Sequence, residues 1–495
     1  MSLLMPSQRN VHSPVSNLDR DVFLSIINLN ADLFSDPTPL GDTRRASQVC
    51  RDWRDMILDA PSLWGKLIDL DDLAHSTEDW RDTVLQRSGN ASLWIKATDQ
   101  IYHEETHVRQ KIYGFLFSVL DKHWGRTEKL VVCVDIRDLD TKLWRSIYRP
   151  APQLRVFDVD LYGTQNRASS TPSFNLLFAN NAPLLHTLHV ANIKFNPRAP
   201  WVTGIRLIHI GPPFTLLEML SAFKMMPNLE TIRIEQVQRP RPDKEEVDHR
   251  QCVNLPNLSQ IQLYCDFKST VTLLENITYA RGCFLKLTSG NWKQGPFRPL
   301  SKFALDYFTA RVPTSLSLSV SHYRFSFKDR TENRSPFESF SVSVWFDDLP
   351  LPTLATANII AGFTFPAPVF HFVTQLYLTS LNCSPSEAVH LFFRSLPAVT
   401  TLITNEQVIG NFFGLQKGTP DILLPLIEVV KLDTLDFRAT SGYLFQFLVA
   451  RRESGHPILV LDLRDANPDL ARSLTYLADF TGMQVLWKRR ESTAL

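Results

Sequence analysis

The chain has 495 residues, 44% of them hydrophobic and 21% charged, an ordinary globular composition that excludes a wholly disordered polymer. Basic and acidic residues nearly balance, 52 against 51, so the net charge of +1 points to neither nucleic acid nor an acidic membrane surface as a partner. No apolar run reaches the roughly 18 residues of a membrane helix.

Residues 1–17 read as a loose tail without the charged, apolar and cleavage regions of a secretion signal. Six cysteines (Cys50, Cys133, Cys252, Cys265, Cys283 and Cys383) are scattered without CxxC pairs, so neither a zinc ribbon nor a disulfide framework is indicated. Reduced thiols in the cytoplasm or nucleus fit this usage, and no cofactor is expected.

Residues 18–64 carry the most specific pattern. In DRDVFLSII, Val22, Phe23, Ile26 and Ile27 recur with the spacing of one helical face. Pro37, Pro39 and Gly41 predict a loop over 34–42. TRRASQVCRDWRDMI then predicts a second helix, with Ala46, Val49, Cys50, Trp53 and Ile57 inward and Arg44, Arg45, Arg51, Asp52 and Asp55 in solvent. Ala60-Pro-Ser-Leu-Trp64 restarts a short helical turn, with proline tolerated at its start.

This segment resembles an F-box of the fungal type, whose usual string is Leu-Pro, an apolar helix, VCRxWR and PxLW. Here it reads Leu18-Asp19, Val22 to Ile27, Val49-Cys50-Arg51-Asp52-Trp53-Arg54 and Pro61-Ser62-Leu63-Trp64, with Asp19 in place of the usual proline. The resemblance implies a three-helix module that binds the Skp-family adaptor of an SCF-type cullin–RING ubiquitin ligase. Its adaptor-facing candidates are Leu18, Val22, Phe23, Ile26, Val49, Trp53, Leu63 and Trp64. Trp80 to Leu93, WRDTVLQRSGNASL, is similar to the W…LxRSGxxPL stretch that often follows such boxes. Physically it predicts a helix ending at Arg87, a glycine cap at Gly89 and a strand over 93–97.

Residues 65–495 alternate amphipathic helices with short apolar strands. Strand anchors are predicted at Leu154, Leu184, Ile205, Leu229, Leu258, Phe284, Leu316, Val342, Val373, Val399, Ile427, Ile458 and Val485, spaced 21 to 32 residues apart. Leucine-rich repeats have periods of about 20–29 residues, so the units read as long, irregular versions of them. Ala-Pro-Gln-Leu at 151, Ala-Pro-Leu-Leu at 182, Met-Pro-Asn-Leu at 226 and Leu-Pro-Asn-Leu at 255 form a recurring strand entry. Helices are predicted over 213–226 (Leu216, Leu217, Leu220 and Phe223 inward), 384–396 with Leu391 inward and 441–452 with Phe447 inward. Residues 315–346 read as an antiparallel addition, and 239–246 as a protruding polar loop. The expected fold is therefore α/β: an F-box, then an irregular leucine-rich-repeat-like solenoid of parallel strands and helices that binds a protein target.

Catalytic motifs are weak. His103-Glu104-Glu105-Thr106-His107 matches HExxH, but its polar flanks read as an exposed helix start rather than a buried zinc site. No GxSxG, GxxxxGK[ST] or GxGxxG occurs. Cys50 reads as inert packing on a helix face, and His186 and His189 as residues on opposite faces of one strand. The expected function is a non-enzymatic target receptor of a ligase. The alternatives are an interaction protein outside any ligase, or a zinc hydrolase on His103 and His107.

Overall fold

The computed structural model describes residues 19–35, 38–98, 104–135, 141–162, 177–190, 193–237, 252–290, 297–332, 338–346, 353–365, 369–383, 385–417, 419, 421–434, 442–465 and 474–487. Leu18, His103 and the loop at 239–246 lie outside these described residues. The chain divides into two compact units, residues 1–209 and 210–495, each an α/β arrangement on a mostly parallel sheet.

The first unit opens with four short helices: α1 (Arg20–Asn30), α2 (Pro39–Ala46), α3 (Arg51–Leu58) and α4 (Pro61–Gly65). There follow β1 (Ile68–Asp69), α5 (Leu70–Leu73), α6 (Glu78–Arg87), β2 (Leu93–Ala97), α7 (Thr106–His123), β3 (Thr127–Asp135), β4 (Val156–Tyr162), β5 (Thr187–Val190) and β6 (Leu207–Ile210). Strands β1 to β5 pair in chain order, all parallel. Ile68 lies opposite Ile95, Ile95 opposite Leu130, Leu130 opposite Phe157, and Phe157 opposite Leu188. None of these five side chains exceeds 1% exposure, so one apolar row runs across the sheet. α6 ends at Arg87 and Gly89 takes the left-handed backbone (φ 49°) that closes a helix, as its sequence predicts.

The second unit contains α8 (Leu216–Phe223), β7 (Thr231–Glu235), β8 (Val253–Asn254), β9 (Gln260–Tyr264), α9 (Phe267–Asn276), β10 (Ile277–Thr278), β11 (Phe284–Ser289), α10 (Arg298–Ala310) and β12 (Ser315–Val320). It continues with β13 (Arg324–Asp329), β14 (Ser341–Trp345), α11 (Thr353–Gly362), β15 (Gln375–Leu381), α12 (Glu387–Arg394), β16 (Thr401–Asn405), α13 (Glu406–Gln416), β17 (Val429–Thr434), α14 (Tyr443–Glu453), β18 (Val460–Leu463) and β19 (Gln484–Trp487). Its main sheet runs β7-β9-β11-β14-β13-β12-β15-β16-β17-β18-β19 without closing, while β8 and β10 form a separate pair. Among the described strands of this sheet only β13 runs against its neighbours. The antiparallel addition expected over 315–346 is therefore present, inserted into the parallel sheet. Beneath it Phe308, Phe325, Phe327, Phe340 and Phe363 form a buried aromatic cluster, each such ring hiding about 150–250 Å².

The recurring strand entry is a hydrogen-bonded turn. Leu154 N–H donates to the Ala151 carbonyl (3.2 Å), Leu185 to Ala182 (3.2 Å), Leu229 to Met226 (3.2 Å), Leu258 to Leu255 (3.0 Å) and Ile427 to Leu424 (3.3 Å). Proline takes the second turn position, where its fixed φ is preset, and both flanking apolar residues are buried. The anchors at such turns consequently sit ahead of the strands, whereas Phe284, Leu316, Val342 and Val485 lie within β11, β12, β14 and β19. Val373, Val399, Ile427 and Ile458 each precede by two residues the aligned set Gln375, Thr401, Val429 and Val460 on the successive parallel strands β15 to β18.

Two predicted inward positions are corrected. Leu184 is 40% exposed and Leu185 is the buried partner, because the turn turns its third residue outward. Leu391 is 43% exposed, and Val389, Phe392 and Phe393 form the inner face of α12. Phe447 is buried as expected, but in α8 the inner residues are Met219, Leu220, Ala222 and Phe223, with Leu216 and Leu217 only half-buried.

A boundary after residue 64 cuts through packed structure. Trp64 is 1% exposed, and a Cβ on Gly65 would collide with the Ser92 carbonyl oxygen. Gly65→Ala should thus force the backbones apart and lower stability by about 1–3 kcal/mol, measured as an earlier denaturant midpoint of the first unit. In the second unit, Arg451 is 4% exposed and donates to the carbonyls of Leu423, Leu424, Pro425, Ile427 and His456 at 3.1–3.4 Å. Burial lowers its pKa to about 10, so it remains charged at neutral pH. Arg451→Met strands these acceptors and should destabilise by at least about 1–3 kcal/mol, whereas Arg451→Lys should retain part of the loss. Chemical denaturation of both variants checks this.

Candidate functional site

The N-terminal helices separate the predicted adaptor-facing residues into two groups. Asp19, standing where the resembled motif has proline, caps α1: its Oδ1 accepts from the Asp21 N–H at 2.8 Å. Along α1, Phe23 (3%) and Ile27 (7%) turn inward. Val22 (48%) and Ile26 (43%) turn to solvent, as does Leu29 (76%). The expected single apolar face is in fact two stripes of one helix. Leu29 is absent from the motif-based set, yet its spacing from Val22 and Ile26 carries the signal for the outer stripe.

The long helix expected from Thr43 through Ile57 is broken. α2 begins at Pro39, inside the expected loop, and stops at Ala46, after which 47–49 tighten into a turn. Cys50 adopts extended backbone and its Sγ accepts from the Trp53 N–H (3.5 Å), so this residue caps α3. It is exposed, which corrects its reading as buried packing. Val49 is consequently 64% exposed in the turn. Trp53 is half-buried, its ring 4.6 Å from that of Phe23, and the contact lays α3 against α1.

Leu63 (0%) and Trp64 (1%) are core, which removes them from any docking surface. Trp64 Nε1 donates to the Ile57 carbonyl at 2.8 Å, its ring meets Trp80 edge-on at 6.4 Å, and Arg87 lies over it at 4.6 Å. On the neighbouring strand Trp94 receives Phe34 (5.9 Å), Lys66 (5.0 Å) and Lys129 (3.5 Å). These contacts fasten the helices to the first strands within one unit. Of the predicted set, Val22, Ile26 and Val49 are free to meet a partner, Trp53 is shared, and Phe23, Leu63 and Trp64 hold the module together.

In the described part of the HExxH stretch, residues 104–107, helix begins only at Thr106. α7 starts at Thr106, Glu105 precedes it in extended conformation, and the His107 side chain is 62% exposed, 3.1 Å from Glu105. Glu104 meets His75 at 3.1 Å. Glu104 and Glu105 thus stand before a helix start, where its dipole favours them. Among the described residues no group of three His, Cys, Asp or Glu side chains is placed to hold a metal ion. Three thiols, Cys265, Cys283 and Cys383, are pushed up to about 12 by burial, which makes them poor nucleophiles.

One polar cluster escaped the sequence. His189 on β5 stacks on His209 of β6 with ring centroids 3.6 Å apart, and its Nδ1 meets Asp158 Oδ1 on β4. Asp158 and His189 are direct cross-strand partners. The pattern of His189 with His186 concealed this, because the converging residue comes from the next strand. No helix among the described residues is long and apolar enough to cross a membrane. No protein-family model matches the chain, and no curated protein matches its sequence.

Proposed function

We propose that the protein is a target receptor of an SCF-type cullin–RING ubiquitin ligase. The N-terminal helices act as an F-box that docks a Skp-family adaptor, and the strand–helix units act as a leucine-rich-repeat-like solenoid that holds a protein target. The observation carrying this reading is the outer apolar stripe, Val22, Ile26 and Leu29, with Val49 also in solvent. α1, which bears the stripe, and α3, which follows the Val49 turn, already have a packed inner side in Phe23, Ile27 and Ile57. Apolar side chains left outside a satisfied core are what a helical docking partner buries, at about 25 cal/mol per Å² removed from water. The VCRDWR and PSLW strings supply the second support.

In this role the protein supplies no reacting group. It raises the effective concentration of the target beside a ubiquitin-charged enzyme. Alternate side chains along β2, β7, β9 and β11 are only half-buried, and a sheet face that keeps partly accessible side chains supports target binding by the repeats.

Recovery of a co-expressed Skp-family adaptor with the full chain tests the assignment. Val22→Asp combined with Ile26→Asp and Val49→Asp should abolish recovery while leaving the melting temperature nearly unchanged, since all three are exposed. Trp53→Ala should reduce both, because truncating a packed Trp costs about 3–5 kcal/mol when fully buried and less here. Undiminished recovery with the triple variant would place the docking surface elsewhere. No recovery with the wild type would favour an interaction protein outside the ligase.

A further inference from the structure

The antiparallel insertion in the second unit carries a face of unusual chemistry, on which Arg324, Lys328 and Ser341 are half-buried and Ser317, Ser326 and Ser343 are buried. Phe325, Phe327, Val342 and Val344 are buried in the core beneath the sheet. Alternation along the strands therefore sets Arg324, Ser326 and Lys328 of β13 on the opposite face, with Ser341 and Ser343 of β14 and Ser317 of β12. The register fixes their order. Lys286 on β11 lies opposite Ser341, Ser341 opposite Lys328, Lys328 opposite Ser317, and Ser317 opposite Tyr377 on β15. One row across five strands thus reads Lys, Ser, Lys, Ser, Tyr.

The serines make a low floor and long side chains border it. Arg324 lies 4.5 Å from the centroid of the Trp345 ring and donates from Nη2 to Ser343 Oγ at 3.2 Å, while its buried Nε has no hydrogen-bond partner. Arg330 covers Tyr377 at 4.9 Å, and Lys286 approaches Tyr264 at 5.8 Å. Lys328 is held below the ordinary lysine range by burial and by the charges of Arg324, Arg330 and Lys286. None of Arg324, Lys328 and Arg330 forms an ion pair with a described carboxylate. The adjacent Asp329 is turned away, accepting from the Tyr307 hydroxyl at 2.7 Å.

We propose that this face docks an acidic, Asp/Glu-rich segment of a partner protein. The inference deepens the receptor reading, on which it rests only for the partner being a recruited protein. Cations gathered over two strand spacings, roughly 10 Å, repel one another, and carboxylates laid among them reverse the sign of that energy. Alternate residues of an extended peptide lie roughly 7 Å apart on one side, a spacing that lets two carboxylates meet the cluster. The half-buried Ser341 hydroxyl can donate to a remaining carboxylate oxygen, while the buried Ser317, Ser326 and Ser343, the last two bonded to each other at 3.1 Å, form the floor between the cations. A nucleic acid is a poorer fit, because the chain's net charge of +1 supplies no long-range field for a polyanion.

Fluorescence anisotropy with the purified full chain tests this, using a labelled Glu-Gly repeat peptide, its Gln-Gly counterpart, a phosphoserine-Gly peptide and oligo-dT. The Glu-Gly peptide should bind, weaken steeply with added salt, and outcompete the Gln-Gly peptide and oligo-dT. Arg324→Gln with Lys328→Gln should weaken it by about tenfold or more. The melting temperature should hold or rise as like-charge repulsion is removed. If that pair fails to fold, the exposed Arg330→Gln alone should weaken binding several-fold. Equal affinity in the variants, equal binding of Gln-Gly, tighter binding of oligo-dT, or binding of the phosphopeptide alone would each overturn the proposal. Adaptor recovery is a separate measurement: its loss alone sinks the ligase reading, and loss of Glu-Gly binding alone sinks this one.

Discussion

Each parallel strand must begin where its predecessor began, and the chain meets that constraint with one short turn. In Ala151-Pro-Gln-Leu154 and its counterparts, a single backbone hydrogen bond joins two buried apolar residues across a proline. The proline prevents the preceding segment from continuing as helix, and the buried pair fixes the depth at which the strand enters the sheet. Strand register follows. Gln375, Thr401, Val429 and Val460 align because Val373, Val399, Ile427 and Ile458 are seated alike two residues earlier. The apolar row from Ile68 to Leu188 in the first unit shows what such alignment yields, a core one residue deep repeated strand by strand.

Where local chemistry determines an element, the sequence is legible. The strand at 93–97, the helix ending at Arg87 and the glycine turn after it follow from caps and alternation within a dozen residues. The antiparallel stretch over 315–346 follows from apolar alternation around polar turns. Failures arise where two residues are equally apolar and only tertiary packing chooses between them. Val22 and Phe23 are neighbours, as are Leu184 and Leu185, and Leu391 and Phe392; in each pair one is buried and the other is not. The break before α3 depends on a sulfur accepting a backbone hydrogen bond, which periodicity cannot display. The pairing of His189 with His209 depends on strand register, a property of the assembled sheet.

The candidate site shows the same division. Of the eight residues nominated over 18–64, three are internal supports. Phe23, Leu63 and Trp64 keep the module folded, and their conspicuous size reflects that task. The residues available for contact are smaller and less distinctive. The basic face of the second unit left no mark in composition, because its members come from β11, β13 and the residue after β13, and they converge only through cross-strand register.

The strand order β11-β14-β13-β12-β15 has a consequence for how the second unit assembles. Elsewhere in that sheet each strand joins the one formed just before it, a process that can propagate locally along the chain. Here β11 must wait for β14, and β12 receives β15 from a distance of 60 residues, as the Gln375 N–H donating to the Thr314 carbonyl region shows at its edge. Loop-closure entropy must be spent before these non-local pairings return any contact energy. The stretch from β11 to β15 therefore behaves as a single cooperative block set between two zippering segments. The phenylalanine cluster beneath it is the apolar reward that makes so costly a closure favourable.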